Sequence, residues 1–225
     1  MMIVRLHKLA ARQPAVSDLR MIAELMVACN VADTGILEPV EHELRVAWQA
    51  ANFNVKCDAW VIVNNTQQIV GYAEVRHSEQ AKLGQLVAAV YVHPDYRGRG
   101  IGTLLTWLLE NRARQIAATL PEYVRVTLSN TVCSLDHGAQ ALLEREGYTL
   151  LRHFWRFTIP MEEAHSEPHN KLKVDLVVAA HDLMSLTPAR TGMYHARQYA
   201  VYEKVIQAEK NLQEANLLEL EYCTA

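Results

Sequence analysis

The chain of 225 residues is 50% apolar and 21% charged, which is enough apolar content to bury a core and too much for a disordered protein. Its net charge of −3 argues against a nucleic-acid-binding protein, which needs a strongly basic surface. No run of 18 apolar residues and no apolar signal segment is present, so we expect a cytoplasmic protein without a membrane span. The four cysteines (Cys29, Cys57, Cys133 and Cys223) are far apart, which indicates free thiols rather than disulfides or a zinc site.

The first half of the chain contains the patterns of an edge strand, two helices and three further strands. Apolar residues recur at helical spacing after Asp18, which could cap the first helix. Pro39 stands near the first turn of the second helix, where its missing N–H costs nothing. The predicted elements are an edge strand over residues 3–9, helices over 19–29 and 39–51, and strands over 59–63, 69–75 and 86–92.

The second half continues this alternation of strands and helices. Apolar residues from Ile101 to Leu108 follow the i, i+3, i+4, i+7 pattern of a helix, and Gly147 stands where a glycine commonly ends one. The predicted elements are a helix that begins at 101, a strand over 124–128, a helix over 138–146 and a strand over 148–159. Strands that alternate with helices in this way predict an α/β domain.

The segment between the strand at 86–92 and the helix at 101 is the most informative part of the sequence. It reads Arg97-Gly98-Arg99-Gly100-Ile101-Gly102. The glycines permit a turn whose N–H groups face one point, and the helix that follows adds its positive end and its unpaired first-turn donors. Such a loop is suited to phosphate, with Arg97 and Arg99 beside it, although a glycine-rich corner without a ligand explains the composition equally well. The spacing fits neither a Rossmann GxGxxG motif nor a P-loop that ends in GK[ST].

The pattern Arg97-x-x-Gly100-x-Gly102, preceded by Val90-Tyr91-Val92-His93-Pro94, resembles the acyl-CoA motif of the GCN5-related N-acetyltransferase (GNAT) superfamily. The resemblance implies an α/β GNAT fold, with a central mixed sheet flanked by helices, and acetyl-CoA as cosubstrate. It also implies that the loop amides hold the pyrophosphate and that the preceding strand pairs with the pantetheine arm. The cofactor-binding residues expected on this basis are Val90, Tyr91, Val92, Arg97, Gly98, Arg99, Gly100, Ile101, Gly102 and Thr103.

The catalytic groups match the family pattern only in part. Acetyl transfer needs one group that removes a proton from the amine and another that protonates the leaving thiolate. The strand over 85–92 lacks the carboxylate that many GNAT members carry there, so the nearest candidate base is Glu74, which a solvent-facing strand position would also explain. Leu143 occupies the position of the usual general-acid tyrosine. Tyr91 and Asp136 remain as further catalytic candidates, and a strand aromatic and a helix cap are their structural alternatives.

The ten histidines form no HExxH pair and no Cys/His cluster with ligand spacing. We therefore expect no metal site.

The C-terminal part of the chain is too short for a second complete domain. We expect a GNAT domain over 1–163, a polar linker over 164–172, and an extension over 173–225. The extension is expected to contain a strand-helix-strand unit, whose second strand is aromatic, and a terminal helix over 205–222. The aromatic strand repeats, at an offset of 45 residues, the glycine and aromatic positions that follow the helix at 138–146. The extension resembles the end of a truncated second GNAT copy, as in tandem, mycothiol synthase-like acetyltransferases. The alternative is a dimerisation arm.

These patterns lead to the hypothesis of an acetyl-CoA-dependent N-acetyltransferase that transfers an acetyl group directly to a primary amine of a small molecule or peptide. The alternative is a CoA-binding GNAT-like protein with little catalysis, which acts as a sensor or interaction module. The expected partners are the amine substrate and a second copy of the chain, as a homodimer formed through the extension, without nucleic acid or membrane.

Overall fold

The computed structural model describes residues 5–6, 8–35, 37, 39–78, 84–161, 172–179 and 195–208. Strands and helices alternate over residues 85–161, whereas helices follow one another before residue 59 and strands after residue 149. The strands are β1 (Arg5–Leu6), β2 (Leu9–Arg12), β3 (Ala59–Asn64), β4 (Ile69–His77), β5 (Gln85–Val92), β6 (Val126–Cys133), β7 (Thr149–Met161), β8 (Leu172–Ala179) and β9 (His195–Gln207). The helices are α1 (Leu19–Thr34), α2 (Glu41–Trp48), α3 (Val55–Asp58), α4 (Ile101–Ala117) and α5 (His137–Arg145).

These strands form a single mixed sheet in the order β1-β2-β3-β4-β5-β6-β9-β7-β8. Neighbouring strands are antiparallel except β5 and β6, which are parallel. A parallel pair requires a crossover connection, and α4 supplies it. The expected fold class, a central mixed sheet flanked by helices, is confirmed.

The two faces of the sheet are covered by different helices, because successive side chains of a strand point to opposite faces. Val61 and Tyr72 are buried in a core with residues of α1 and α2. Ile62 and Ala73, their neighbours in the chain, are buried in a second core with residues of α4. Burial on both faces explains why residues 59–63 and 69–73 carry no charged side chain.

The first turn of α4 packs directly on β4. A Cβ atom at Gly71 would lie 2.9 Å from Ile101 Cγ2 and 3.2 Å from the side chain of Ile62. Glycine therefore permits this close approach, which places the N-terminus of α4 next to the end of β5. Leu105 and Leu109 continue the contact and are completely buried.

The elements predicted for the first 160 residues are present with shifted ends, except the edge strand expected over 3–9, which is wrong. β1 covers only Arg5–Leu6, and the chain turns back so that β2 runs from Leu9 to Arg12. The first helix extends to Thr34 instead of 29, and the second begins at Glu41 instead of 39. Asp18 precedes α1, but the expectation that its side chain caps this helix is wrong. Its carboxylate instead accepts hydrogen bonds from Arg12, at 2.5 and 3.0 Å, and from the Ala15 N–H at 2.7 Å.

Two strands of the expected C-terminal extension lie in the same sheet as the rest. β8 pairs with β7, and β9 lies between β6 and β7. The expected helix over 205–222 is wrong at its start, because Val205 and Gln207 continue β9 and pair with Thr127 and Val126. The expected linker at 164–172 is one residue too long, because Leu172 begins β8. Residues 164–171, the expected helix from 209 onward and the segment between β8 and β9 lie outside the described residues. The domain boundary at 163 and the origin of the extension as a second copy remain predictions.

Candidate functional site

A cleft opens in the sheet where β5 and β6 separate. Their pairing covers four residues, from Gln85 with Thr127 to Ala88 with Asn130, although both strands continue beyond it. The cleft has a volume of about 530 Å³ and is lined by the ends of both strands and by parts of α1, α4, α5 and β9. Of the residues expected to bind the cofactor, it brings together Val90, Tyr91, Val92, Arg97, Gly98, Gly100, Ile101, Gly102 and Thr103.

The glycine-rich loop forms one end of this cleft. Gly98 and Gly100 have φ angles of 75° and 79°, a left-handed conformation that glycine adopts without strain. A Cβ atom built on either residue would meet nothing within 4 Å, so the space in front of the loop is open. α4 begins at Ile101, and the N–H groups of its first turn lack intrahelical acceptors. This end of the cleft is therefore suited to an anion.

The three arginines near the loop have different partners. Arg97 donates to both carboxylate oxygens of Asp33 in α1, at 2.7 and 3.0 Å, and lies 3.7 Å from Asp136. Asp33 thus neutralises the charge of Arg97, raises its pKa and ties the loop to α1. Arg99 donates to the Asp95 carbonyl at 2.9 Å and lies over the ring of Tyr96.

Arg145 is a residue that the sequence analysis missed. Its Nη2 atom donates to Thr103 Oγ1 in the first turn of α4 at 2.8 Å, and its side chain lines the cleft. Arg145 and Thr103 are 42 positions apart in the chain, so no sequence motif indicates that they are neighbours. Arg145 also donates to Glu146 Oε1 at 3.1 and 3.2 Å, so a carboxylate already compensates part of its charge. A bound anion at the positive end of α4 would be a second partner for this guanidinium.

Glu74 lies on the face of the sheet that α1 and α2 cover. It is 5% exposed, which rules out the solvent-facing alternative, and it is absent from the residues that line the cleft. Its carboxylate accepts short hydrogen bonds from Tyr72 and Arg76, and Trp48 Nε1 donates to the Tyr72 hydroxyl at 3.0 Å. Burial raises the pKa of Glu74, and the charge of Arg76 and the two hydrogen bonds oppose this effect.

Tyr91 connects the region of Glu74 to the cleft. It pairs with Tyr72 across β4 and β5, so both side chains and that of Glu74 share one face. Burial and the neighbouring Glu74 carboxylate raise the pKa of Tyr91, which keeps its hydroxyl protonated at neutral pH. Cys29 lines the same region and donates from Sγ to the Val92 carbonyl at 3.3 Å, and burial raises its pKa to about 11.

Asp136 and Leu143 both line the cleft from the side of α5. Asp136 accepts a hydrogen bond from the Ala139 N–H at 2.9 Å and therefore caps α5, and its other oxygen faces Arg97. Leu143 is 2% exposed and packs in the core on the α4 side of the sheet.

No helix within the described ranges is long and apolar enough to cross a membrane. In the same part of the chain, no group of three His, Cys, Asp or Glu residues is placed to hold a metal ion.

Known proteins resemble this chain in both sequence and fold. The model of the acetyltransferase (GNAT) family matches residues 20–148, more than half of the chain. The mycothiol acetyltransferase of Saccharopolyspora erythraea is 32% identical over 109 residues, which are 48% of this chain and 36% of that protein. The matched region thus spans about a third of that relative's length.

Two solved structures share the fold at low sequence identity. A GCN5-related N-acetyltransferase from Sphaerobacter thermophilus superposes with a TM-score of 0.74 at 16% identity, over 92% of this chain and 98% of that chain. The YncA protein of Salmonella typhimurium, solved with its cofactor acetyl-CoA, gives a TM-score of 0.56 at 16% identity, over 91% and 99%. With the match of the family model, these findings show that the chain belongs to the GNAT acetyltransferase family.

Proposed function

We propose that the protein is an acetyl-CoA-dependent N-acetyltransferase that moves an acetyl group directly to a primary amine of a small molecule or peptide. The observation that carries this proposal is the separation of β5 from β6 next to the glycine-rich start of α4. Acetyl-CoA presents phosphates, an extended amide-containing arm and a thioester in that order. The cleft offers an anion site, an open strand edge and the side chain of Tyr91, which shares a face of the sheet with the buried Glu74.

The residues of the cleft fit this cosubstrate. The N–H groups of the first turn of α4 would bind a phosphate in the open space before Gly98 and Gly100, with Arg145 as a cation in the cleft wall. Arg99, which was also expected to bind the cofactor, does not line the cleft. The part of β5 that includes Val90 and Val92 has no pairing to β6, so its edge could bind an extended arm as an added strand would. Arg97 would hold the loop in place through Asp33 rather than bind phosphate.

The proton transfers of this reaction would involve Glu74 and Tyr91. The amine nitrogen attacks the thioester carbonyl, a C–N bond forms, the C–S bond breaks and the thiolate leaves with the electron pair. Glu74 has a raised pKa, as suits a base, and would take the amine proton through the Tyr91 hydroxyl or a water, because it does not line the cleft. The protonated Tyr91 hydroxyl would supply a proton to the thiolate. We favour a structural role for Asp136, since both of its oxygens have partners.

The second candidate function, CoA binding with little catalysis, is favoured by one observation. Leu143 is a buried aliphatic side chain in the wall of the cleft, at the position where the family resemblance implies a proton donor. A thiolate leaves more readily than an amine because the pKa of a thiol is lower, so this loss slows the reaction without forbidding it. Both candidate functions therefore predict CoA binding, and only the first predicts substantial turnover.

Two measurements test the proposal. We expect CoA and acetyl-CoA to raise the melting temperature, and acetyl-CoA to release thiol above background with at least one class among polyamines, aminoglycosides, amino acids and N-terminal peptides. Glu74→Gln and Tyr91→Phe should lower kcat at least tenfold with little change in CoA affinity. The matched control is Glu24→Gln, because Glu24 forms an exposed pair with Arg20 on α1.

Each outcome selects one function. No thermal stabilisation by CoA would refute both candidates. Stabilisation without thiol release across the panel would refute catalysis and favour the sensor. The pH profile gives a further check. With a raised pKa at Glu74, the acidic limb of kcat/KM should lie above pH 4.5 and disappear in Glu74→Gln.

Two further expectations belong to this proposal. The free thiols Cys29, Cys57 and Cys133 suit the reducing conditions of the cytoplasm, where we propose that the enzyme acts. β8 lies at one edge of the sheet, and the unpaired side of such a strand can pair with a second copy, so we propose a homodimer through this edge. Light scattering coupled to size exclusion tests the dimer, and a monomer at all concentrations would refute it.

A further inference from the structure

The side chain of Thr106 in α4 has an unusual environment. It is 2% exposed and lines the cleft, yet its Oγ1 atom has no hydrogen-bond partner among the described residues. Helical threonines commonly donate to a carbonyl three or four residues earlier. Thr34 does so to Asn30 and Thr119 does so to Ile116, both at 2.7 Å. A buried hydroxyl that lacks this bond indicates a partner supplied by a ligand.

Asn130 in β6 also lines the cleft. It forms the last pair with β5 before the strands separate, and it is 3% exposed. It alternates with Leu128 on β6, whose side chain packs in the core with α4, so Asn130 and Thr106 face the same layer. Its amide forms no hydrogen bond with any side chain or backbone group in the described ranges. Two buried polar side chains thus line the cleft from the layer between the sheet and α4.

The position of Thr106 indicates which part of a ligand it meets. It lies five residues after Ile101, which corresponds to about 7.5 Å along the helix axis from the anion site. This distance is too long for a phosphate held at the helix N-terminus. It corresponds to the first hydroxyl and amide groups of the arm that follows the phosphates in CoA.

We infer that Thr106, together with Asn130, forms a polar subsite that hydrogen-bonds the hydroxyl or amide groups of the pantetheine arm. The inference rests on the proposed CoA-dependent function and adds a residue that the glycine-rich motif does not contain. In this subsite the Thr106 hydroxyl contributes to ligand binding and not to the stability of the free protein.

The valine variant separates these two contributions because valine keeps the shape of threonine and removes its hydroxyl. Thr106→Val should leave the melting temperature of the free protein unchanged or raise it, since no internal hydrogen bond is lost. Calorimetry should show about tenfold weaker binding of CoA to Thr106→Val, and Thr106→Ser should bind CoA with nearly the wild-type affinity. The control Thr119→Val loses an internal bond away from the cleft and should not change CoA affinity.

A second ligand locates the contact. S-acetylpantetheine lacks the nucleotide and its phosphates, so Thr106→Val should weaken its binding by the same factor as that of CoA. Unchanged affinity of Thr106→Val for both ligands, or a melting temperature several degrees lower, would refute the inference and leave the proposed function intact. Failure of the wild-type protein to bind CoA would instead refute the proposed function.

Discussion

The contact between Lys204 and Glu110 ties β9 to α4 and allows a quantitative prediction. Lys204 Nζ lies 2.7 Å from Glu110 Oε1 and donates to the Glu146 carbonyl at the same distance. The ammonium also lies 5.4 Å from the centre of the Tyr148 ring. Glu110 is buried and accepts a second hydrogen bond from Arg114 at 2.9 Å. We predict that Lys204→Met destabilises the protein substantially.

The size of the effect follows from what remains after the substitution. Removing one partner of a buried ion pair costs about 3–5 kcal/mol, because the other charge stays buried. Here the half-exposed Arg114 still compensates part of the charge of Glu110, and Lys204 is itself partly exposed. We therefore expect a loss of about 2–3 kcal/mol. For a protein of this length this corresponds to a decrease in melting temperature of about 5–10 °C.

A double-mutant cycle measures the pair itself. The free energies of urea unfolding of the wild type, Lys204→Met, Glu110→Gln and the double variant should give a coupling energy of about 1.5–2 kcal/mol. The exposed pair Arg20–Glu24 serves as control, and its cycle should give less than about 0.5 kcal/mol. Additivity at Lys204 and Glu110 to within about 0.5 kcal/mol would show that the pair does not hold β9 on α4.

Three further predictions concern the glycine-rich loop, the arginine beside it and the ion pair that precedes α1. Gly100→Ala should destabilise the protein by about 1–2 kcal/mol because of its left-handed φ, and calorimetry should show at least tenfold weaker CoA binding, since the methyl group enters the open space. Arg145→Gln should weaken CoA binding about threefold to tenfold and reduce its salt dependence, and an unchanged salt dependence would exclude Arg145 as a phosphate ligand. The hydrogen bond from Arg12 lowers the pKa of Asp18, so Asp18 contributes stability above the unfolded pKa of about 3.9 and loses it as the pH falls. Asp18→Asn should therefore cost about 2 kcal/mol in urea unfolding at pH 7, and the difference should shrink at pH 3.

The sequence predicts the features of the fold that depend on neighbouring residues. The start of α4, the continuous apolar strand β5 and the glycine-rich loop between them follow from spacing and from backbone freedom within about 20 residues. The composition of the loop also indicates an anion site, since helix-terminal N–H groups are a local property. These features were sufficient to identify the family resemblance.

Features that depend on distant residues were not predictable in the same way. The partner of Arg97 is Asp33, which lies 64 positions away in the chain. The motif alone therefore does not show that Arg97 pairs with a carboxylate instead of a phosphate. The buried position of Glu74 depends on α1 and α2, which fold over that face of the sheet. No local pattern encodes which strands β9 lies between, so its position between β6 and β7 does not follow from the sequence.

The cleft depends on this last strand. β6 pairs with β9 along its whole length, and β5 pairs with β4 over residues 86–92. Because the outer edge of each strand is satisfied, β5 and β6 can separate after four pairs without losing all of their backbone partners. β9 also supplies Tyr199, which lines the cleft and stacks on Phe154 at 5.3 Å. Removal of residues 195–225 should therefore abolish CoA binding and cooperative unfolding together, whereas a complete domain that ends near residue 163 would keep both.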